Sequence, residues 1–187
     1  MHSRSATPGN VDRTANLLGA LALEVTRAQE QATHAVVGQA GAAAGALVVI
    51  AAAPGRTIEQ LRGPLGLTQP GATRLVERLV IAGLVQREGP GGRRGLSLTL
   101  TAAGERVLEE LLAARRAALE EVLLPLAPAE QEQLTNVLET LLAARVGDRP
   151  DLERLCRMCE RSVCARCPVG HALDCLLTAE SASPPRA

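Results

Sequence analysis

TIEQLRGPLGLTQPGATRLVERLVIAGLVQREGPGGRRGLSLTLTAAGE, residues 57–105, holds the pattern that decides the fold. Thr57, with Gln60 three residues on, reads as a capping box, and Ile58 and Leu61 face inward from the short helix it opens. That helix stops near Gly63-Pro64-Leu65-Gly66. Thr68 caps a second helix over residues 69–82, with Pro70 in its first turn, where a missing N–H costs nothing. Leu75, Val76, Leu79 and Val80 share one face of this helix, while Arg74, Glu77 and Arg78 fall largely outside that stripe. Gly83 is a natural stop. Residues 84–88 and 96–100 read as strands, since Leu96, Leu98 and Leu100 alternate with Ser97 and Thr99. The loop between them, GPGGRRG, closes a hairpin and carries Arg93 and Arg94 at its tip.

Upstream, residues 11–37 form a long helix with Leu17, Leu18, Leu21 and Val25 at helical spacing and Asn10 as a plausible cap. Gly38 and Gly41 interrupt it, and an apolar helix over residues 42–53 ends at Pro54-Gly55. Downstream, Thr101 caps a helix reaching about residue 124, with Leu108, Leu111, Leu112, Leu119 and Val122 inward. Pro125 and Pro128 break it. A further helix over residues 129–146 places Leu134, Val137, Leu138, Leu141 and Leu142 on one side. Gly147-Asp148-Arg149-Pro150 reads as a linker into a Cys-rich tail over residues 151–178, and the closing SASPPRA has the composition of a disordered end.

Short helix, glycine-bearing turn, second helix and hairpin are the parts of a winged helix-turn-helix. The expected fold is therefore mainly α, with a small β-hairpin wing and long dimerisation helices, over residues 11–147. The DNA-reading unit spans about 56–101. The second helix is slim enough for the major groove, with its N-terminal residues towards base edges. The residues expected on its exposed face are Gln69, Gly71, Ala72, Thr73, Arg74 and Arg78. Gln69 and Arg74 have the groups to read adenine or guanine. Thr68, Thr73 and Arg78 suit phosphates, Pro70 lies beside them in the first turn, and N–H groups at the helix start add a phosphate site. Arg93 and Arg94 reach a flanking minor groove or backbone. Taken alone, Arg74 and Arg78 would read as a solvated face paired with Glu77; the cap, turn, hairpin and basic tip together favour double-stranded DNA. Arg62 and Arg87 read as ordinary surface charges, and His2 and His34 as a tail residue and a solvated helix residue.

Composition agrees by distribution rather than by total. Formal net charge is zero, from 20 basic and 20 acidic residues. Yet residues 56–94 hold seven Arg against three Glu, and residues 102–145 hold four Arg against eight Glu, so basic character sits over the reading unit. The chain has no Phe, Tyr or Trp, which removes the rings that stack on unpaired bases and weakens a single-strand or RNA reading. Two long Leu-rich helices offer more apolar surface than a small winged unit covers, which predicts a homodimer. Two copies would set their recognition helices roughly 34 Å apart, as a palindromic site needs. No stretch is apolar enough for a membrane span, and MHSRSATPGN lacks the apolar core of a secretory signal, which predicts a cytoplasmic protein.

The run LGLTQPGATRLVERLVIAGLVQREGPGGRRGLSLTLTAAGE, residues 65–105, resembles the core of MarR-family transcriptional regulators. Its "LV-x-RL-x-x-x-GLV" recognition segment, Arg-bearing wing and "L-x-LT-x-x-G" junction carry the likeness, which extends over about residues 16–145. The resemblance implies a dimer formed by the first and the last two helices. It also implies a (pseudo)palindromic duplex target and a small-molecule or redox signal, as in a repressor that releases DNA. The family's wing usually has an Asp before its basic residues; here Gly91-Gly92 stand there, so the Arg lack that brace.

All five Cys lie in the tail, as Cys156-x2-Cys159-x4-Cys164-x2-Cys167-x3-His171-x3-Cys175. None precedes Cys156, so disulfides do not staple the main fold. Paired CxxC units suit tetrahedral zinc on Cys156, Cys159, Cys164 and Cys167, with His171 or Cys175 as alternates. The four-residue gap is shorter than in most zinc ribbons, and Cys167-Pro168 resembles the end of a ferredoxin motif, so an iron–sulfur cluster is an alternative. Redox thiols are a third, and small apolar packing a fourth. A thiol- or metal-dependent redox enzyme is the competing function class. No Ser-His-Asp set, phosphate loop or carboxylate pair supports an enzyme, and CxxC outside a βαβ context is weak evidence for an oxidoreductase. A winged helix used only for protein interaction is the third reading.

Overall fold

The computed structural model describes residues 10–38, 42–89, 96–160 and 168–170. Their order is α1 (Asn10–Val37), α2 (Ala43–Ala52), α3 (Ile58–Leu65), α4 (Gln69–Ile81), β1 (Val85–Glu88), β2 (Ser97–Leu100), α5 (Ala102–Leu123), α6 (Pro128–Ala143) and α7 (Arg149–Leu155). The result is a mainly helical molecule with one small antiparallel hairpin, as the winged helix-turn-helix reading expects.

α2 sits at the centre. It is apolar all round, and every residue from Ala43 to Ile50 is buried, as a helix without a polar face must be. Leu47 and Ile50 of α2 join Leu61 of α3, Leu75, Val76 and Leu79 of α4, and Val85 and Leu98 of the hairpin in one cluster. Each such fully buried side chain contributes about 1.5–3 kcal/mol, so the core is continuous from the central helix to the sheet. α1 packs along α5, and a second, smaller cluster of Ala44, Val48 and Leu111 joins α2 to α5.

Local signals set the helix–turn–helix as expected. Thr57 Oγ1 accepts the Gln60 amide and the Gln60 side chain accepts the Thr57 amide, which completes the capping box. Gly66 takes the left-handed conformation (φ +64°) and turns the chain out of α3. Pro64 stays within α3 as a buried residue, so the helix continues to Leu65. Thr68 then caps α4 by accepting the Gly71 amide at 3.3 Å.

The hairpin pairs Val85 with Leu100 and Glu88 with Ser97. A third partner went unforeseen: Leu98 donates to the Arg56 carbonyl at 2.8 Å, and Gly55 donates to the Leu98 carbonyl at 3.0 Å. The stretch between α2 and α3 is thereby bound to the wing. Gly104, in the first turn of α5, lies directly on the backbone of Leu84; an added Cβ would be 2.0 Å from the Leu84 carbonyl oxygen.

The Leu-rich side of α6 is uncovered: α6 has no buried residue, and Val137, Leu138, Leu141 and Leu142 are all exposed. One expectation changes: where Gly147-Asp148-Arg149-Pro150 suggests a linker, α7 begins. Asp148 caps it by accepting the Asp151 amide at 2.8 Å, Pro150 occupies its first turn, and the helix packs on α3.

Candidate nucleic-acid interface

α4 has two faces of opposite character. Ala72, Leu75, Val76 and Leu79 are buried against the core. Thr68, Gln69, Pro70, Arg74 and Arg78 are exposed, and Thr73 is half-buried. The helix is therefore held from behind, with its leading edge open to solvent. Ala72 is a correction: at 1 % exposure it belongs to the core face, one position round from Thr73. Gly71 is half-buried, and an added Cβ there would meet Thr68 Oγ1 at 3.2 Å.

Arg74 and Arg78 are one helical turn apart on the exposed face, with Glu77 between them. Among the described residues neither Arg makes an ion pair. The contrast is internal. Arg62 pairs with Glu59 at 2.5 Å, Arg154 pairs with Asp151 at 2.6 Å, and Arg27 pairs with Glu24, all at i,i+3 spacing. In all three the acid precedes the Arg, whereas Glu77 follows Arg74 by three residues, the less favourable order on a helix, and no pair forms there. The paired surface face is thus what Arg62 has, and what Arg74 and Arg78 lack. Arg87 is exposed on β1, as expected of a surface charge.

The start of α4 offers fewer amides than expected. Pro70 has none, the Gly71 amide goes to Thr68 Oγ1, and the Ala72 amide goes to the Thr68 carbonyl at 2.9 Å. At most the Gln69 amide is left to meet a phosphate, so charge on this edge rests with Arg74 and Arg78. Thr73 donates its hydroxyl back to the Gln69 carbonyl at 3.1 Å, which fixes its rotamer and leaves only its oxygen lone pairs outward.

At the base of the wing, Glu88 accepts from Gln86 Nε2 at 2.8 Å and Thr99 Oγ1 at 3.1 Å, while its carbonyl accepts from Ser97 Oγ at 3.0 Å. These bonds tie the two strands where they leave the core. Arg93 and Arg94, with Gly91-Gly92, lie outside the described residues. So do Cys164, Cys167, His171, Cys175, His2 and the closing SASPPRA. Cys156 and Cys159 are both half-buried in and just after the turn that ends α7. Among the described residues no group of three metal-ligating side chains comes together. His34 is exposed near the end of α1. Among those residues no helix is long and apolar enough to cross a membrane.

Comparison with known proteins agrees with this architecture. The MarR family model matches residues 40–95, from α2 through the wing. No curated protein matches the chain. Among solved structures, RV1404 from Mycobacterium tuberculosis is 24% identical, over 74% of this chain and 95% of that one, with a TM-score of 0.60. Wild-type MarR from E. coli, in its apo form, is 25% identical over 67% of this chain and 96% of that one, with a TM-score of 0.56. The M. tuberculosis MarR-family protein RV2887, solved with p-aminosalicylic acid, is 26% identical over 66% of this chain and 97% of that one, with a TM-score of 0.51. Residues 40–95 thus match the MarR family, and the chain as a whole is similar in architecture to winged helix-turn-helix regulators of that family.

Proposed function

We propose that the protein is a sequence-specific double-stranded DNA-binding regulator that acts as a homodimer, and that it represses until a signal releases it. The observation that carries this reading is the exposed leading edge of α4, where Arg74 and Arg78 have no acidic partner among the described residues while the opposite face is locked into the core. An edge so held can enter a groove without distorting the protein. Gln69 and Arg74 are the proposed base-reading residues. Thr68, Thr73 and Arg78, with Pro70 beside them, face the phosphates, and Arg93 and Arg94 serve the flanking groove.

Exposed apolar side chains support the homodimer. Leu17, Leu18, Leu21 and Leu23 on α1 and Val137, Leu138, Leu141 and Leu142 on α6 are each more than two-fifths exposed. α6 has no substantial packing partner among the described residues. A helix with an apolar stripe and nothing on it is explained by a second copy. A cleft of about 340 Å³ between α1 and α2, lined by Thr26, Gln29, Glu30, Thr33 and Met158 among others, supports a small-molecule effector. The bound p-aminosalicylic acid of the M. tuberculosis relative is consistent with that class of signal. The paired cysteines offer a second input, as a zinc site, an iron–sulfur site or redox thiols; metal analysis and a visible spectrum of anaerobically purified protein separate the three.

Selection of duplexes from a random pool tests the main reading. Enrichment of a palindrome, with affinity that falls steeply with salt, is the expected result. Recovery of no preferred duplex, or binding indifferent to salt, overturns it.

A further inference from the structure

After α6 the chain turns back across the molecule, and residues 149–160 fasten to it at three points. The first is the wing side of the core. Glu153 of α7 accepts from Arg56 Nη2 at 2.9 Å and Nη1 at 3.4 Å, with the two side chains only 21% and 18% exposed. Arg56 is also the residue whose carbonyl receives Leu98 of β2, so this anchor touches the start of α3 and the wing together. Its Nε is buried and has no partner among the described residues, which leaves the carboxylate of Glu153 as the main compensation for a half-buried charge.

The second anchor is Met158, which packs on the cluster of Ala44, Val48 and Leu111, where α2 meets α5. The third is Glu160, whose carboxylate accepts from Arg116 Nη1 at 3.2 Å, well along α5. In twelve residues the chain runs from the wing and α3, past α2, to the middle of the long helix on which the DNA-reading unit is mounted.

We infer that residues 149–160 form a strap that sets the angle between the DNA-reading unit and α5, with Glu153, Met158 and Glu160 as positioning residues. The inference rests on the proposed DNA-binding dimer and adds what the strap controls: the separation of the two recognition helices, and hence the half-site spacing the protein accepts. An error of one base-pair rise, roughly 3.4 Å, moves a recognition helix off its bases. The existing packing of α2 and β2 on α5 fixes the unit near the hinge. The strap adds a second tie between the two, from Arg56 at one end to Arg116 at the other. Cys156 and Cys159 lie on this strap between its first and last anchors. Cys156 packs against the Val146–Val169 cluster on one side and lines the seam beside Val48 and Pro64 on the other. Sulfur chemistry in the tail therefore has a mechanical route to the reading head.

The test uses full-length protein and the duplex that wild type selects from a random pool, made also with one base pair inserted or removed between half-sites. Wild type should discriminate sharply against the altered spacings. Glu153→Gln/Glu160→Gln should lose about 3- to 10-fold of that discrimination, with its thermal unfolding followed in parallel. A structural role alone would weaken binding to all three duplexes equally. Unchanged discrimination in a folded variant overturns the strap. Absence of any duplex preference in wild type overturns the DNA-binding proposal instead. If the double variant does not fold, Glu160→Gln alone, which breaks only the more exposed pair, makes the same comparison.

Discussion

Gly104→Ala should be among the most damaging single-methyl additions in this chain, and the structure says by how much. An added Cβ would stand 2.0 Å from the Leu84 carbonyl oxygen, 3.0 Å from its carbon and 3.4 Å from Leu100 Cβ. The blocking atoms are backbone and cannot swing aside. They are also fixed by the junction itself: Leu84 O accepts the Thr101 amide at 3.1 Å, Thr101 Oγ1 donates to the Gly83 carbonyl at 2.6 Å, and the same oxygen accepts the Gly104 amide at 3.0 Å. Relieving the contact requires α5 to draw back by about 1 Å, an overpacking cost at the upper end of about 1–3 kcal/mol. That movement stretches at least one of the junction bonds, at about 1 kcal/mol. The intrinsic preference of a helix for Ala over Gly returns about 1 kcal/mol. The net loss is therefore about 3 kcal/mol, which for a chain of this size lowers the melting temperature by about 6–12 °C. Circular dichroism at the helix band is the assay, since a chain without Trp, Tyr or Phe gives no useful aromatic signal. Melting of Gly104→Ala within 2 °C of wild type (roughly the resolution needed) would refute the reasoning that α5 is seated directly on the wing's backbone.

The opposite sign is expected at Gly19. It lies inside α1 with nothing within 4 Å of an added Cβ, so Gly19→Ala should gain about 0.5–1 kcal/mol and melt slightly higher. Leu138→Glu/Leu142→Glu puts charge on the exposed α6 stripe; sedimentation should shift from dimer to monomer while helix content holds, and a dimer that persists unaltered counts against α6 as the interface. Arg93→Ala/Arg94→Ala should weaken the selected duplex at least about tenfold and flatten the log–log salt dependence by roughly one unit per lost phosphate contact. The Asp151 carboxyl is held below its usual range by the Gly147 amide and then by Arg154. A depressed acid stabilises the fold above its unfolded value and loses that contribution as pH falls through the folded one. Asp151→Asn should therefore melt below wild type at pH 7, with the difference shrinking below about pH 4. A constant difference across pH would show that the carboxylate's charge plays no part.

The reading unit was legible because each of its signals is local. Thr57 with Gln60, Thr68 with Pro70, and Gly66 and Gly83 act within a turn of themselves, so they mean in isolation what they mean in the fold. The period-two Leu pattern of β2 likewise needs only the presence of a core on one side. Ala72 was misplaced for a related reason. It is small enough to be silent in a hydrophobic pattern, and only the closeness of the α4 packing decides that it faces inward. The bridge from Arg56 to Leu98 joins residues 42 positions apart across an Arg whose neighbours, Pro54-Gly55, signal nothing beyond a stop. No periodicity carries that pairing.

The junction after α6 shows how one set of residues supports two opposite readings. Gly-Asp-Arg-Pro has the composition of a linker, yet Asp followed by Pro two positions on is also a helix start, with the cap oxygen placed for the third amide and the ring in the first turn. Which meaning holds depends on whether a surface waits for the helix. Here the surface is provided by α3 and by the half-buried guanidinium of Arg56, which pairs with Glu153. Neither is visible from residues 147–155. A short helix of seven residues has little stability of its own, so α7 exists because it docks, and its docking is what brings Cys156 against α2 and α3 instead of leaving it on an appendage.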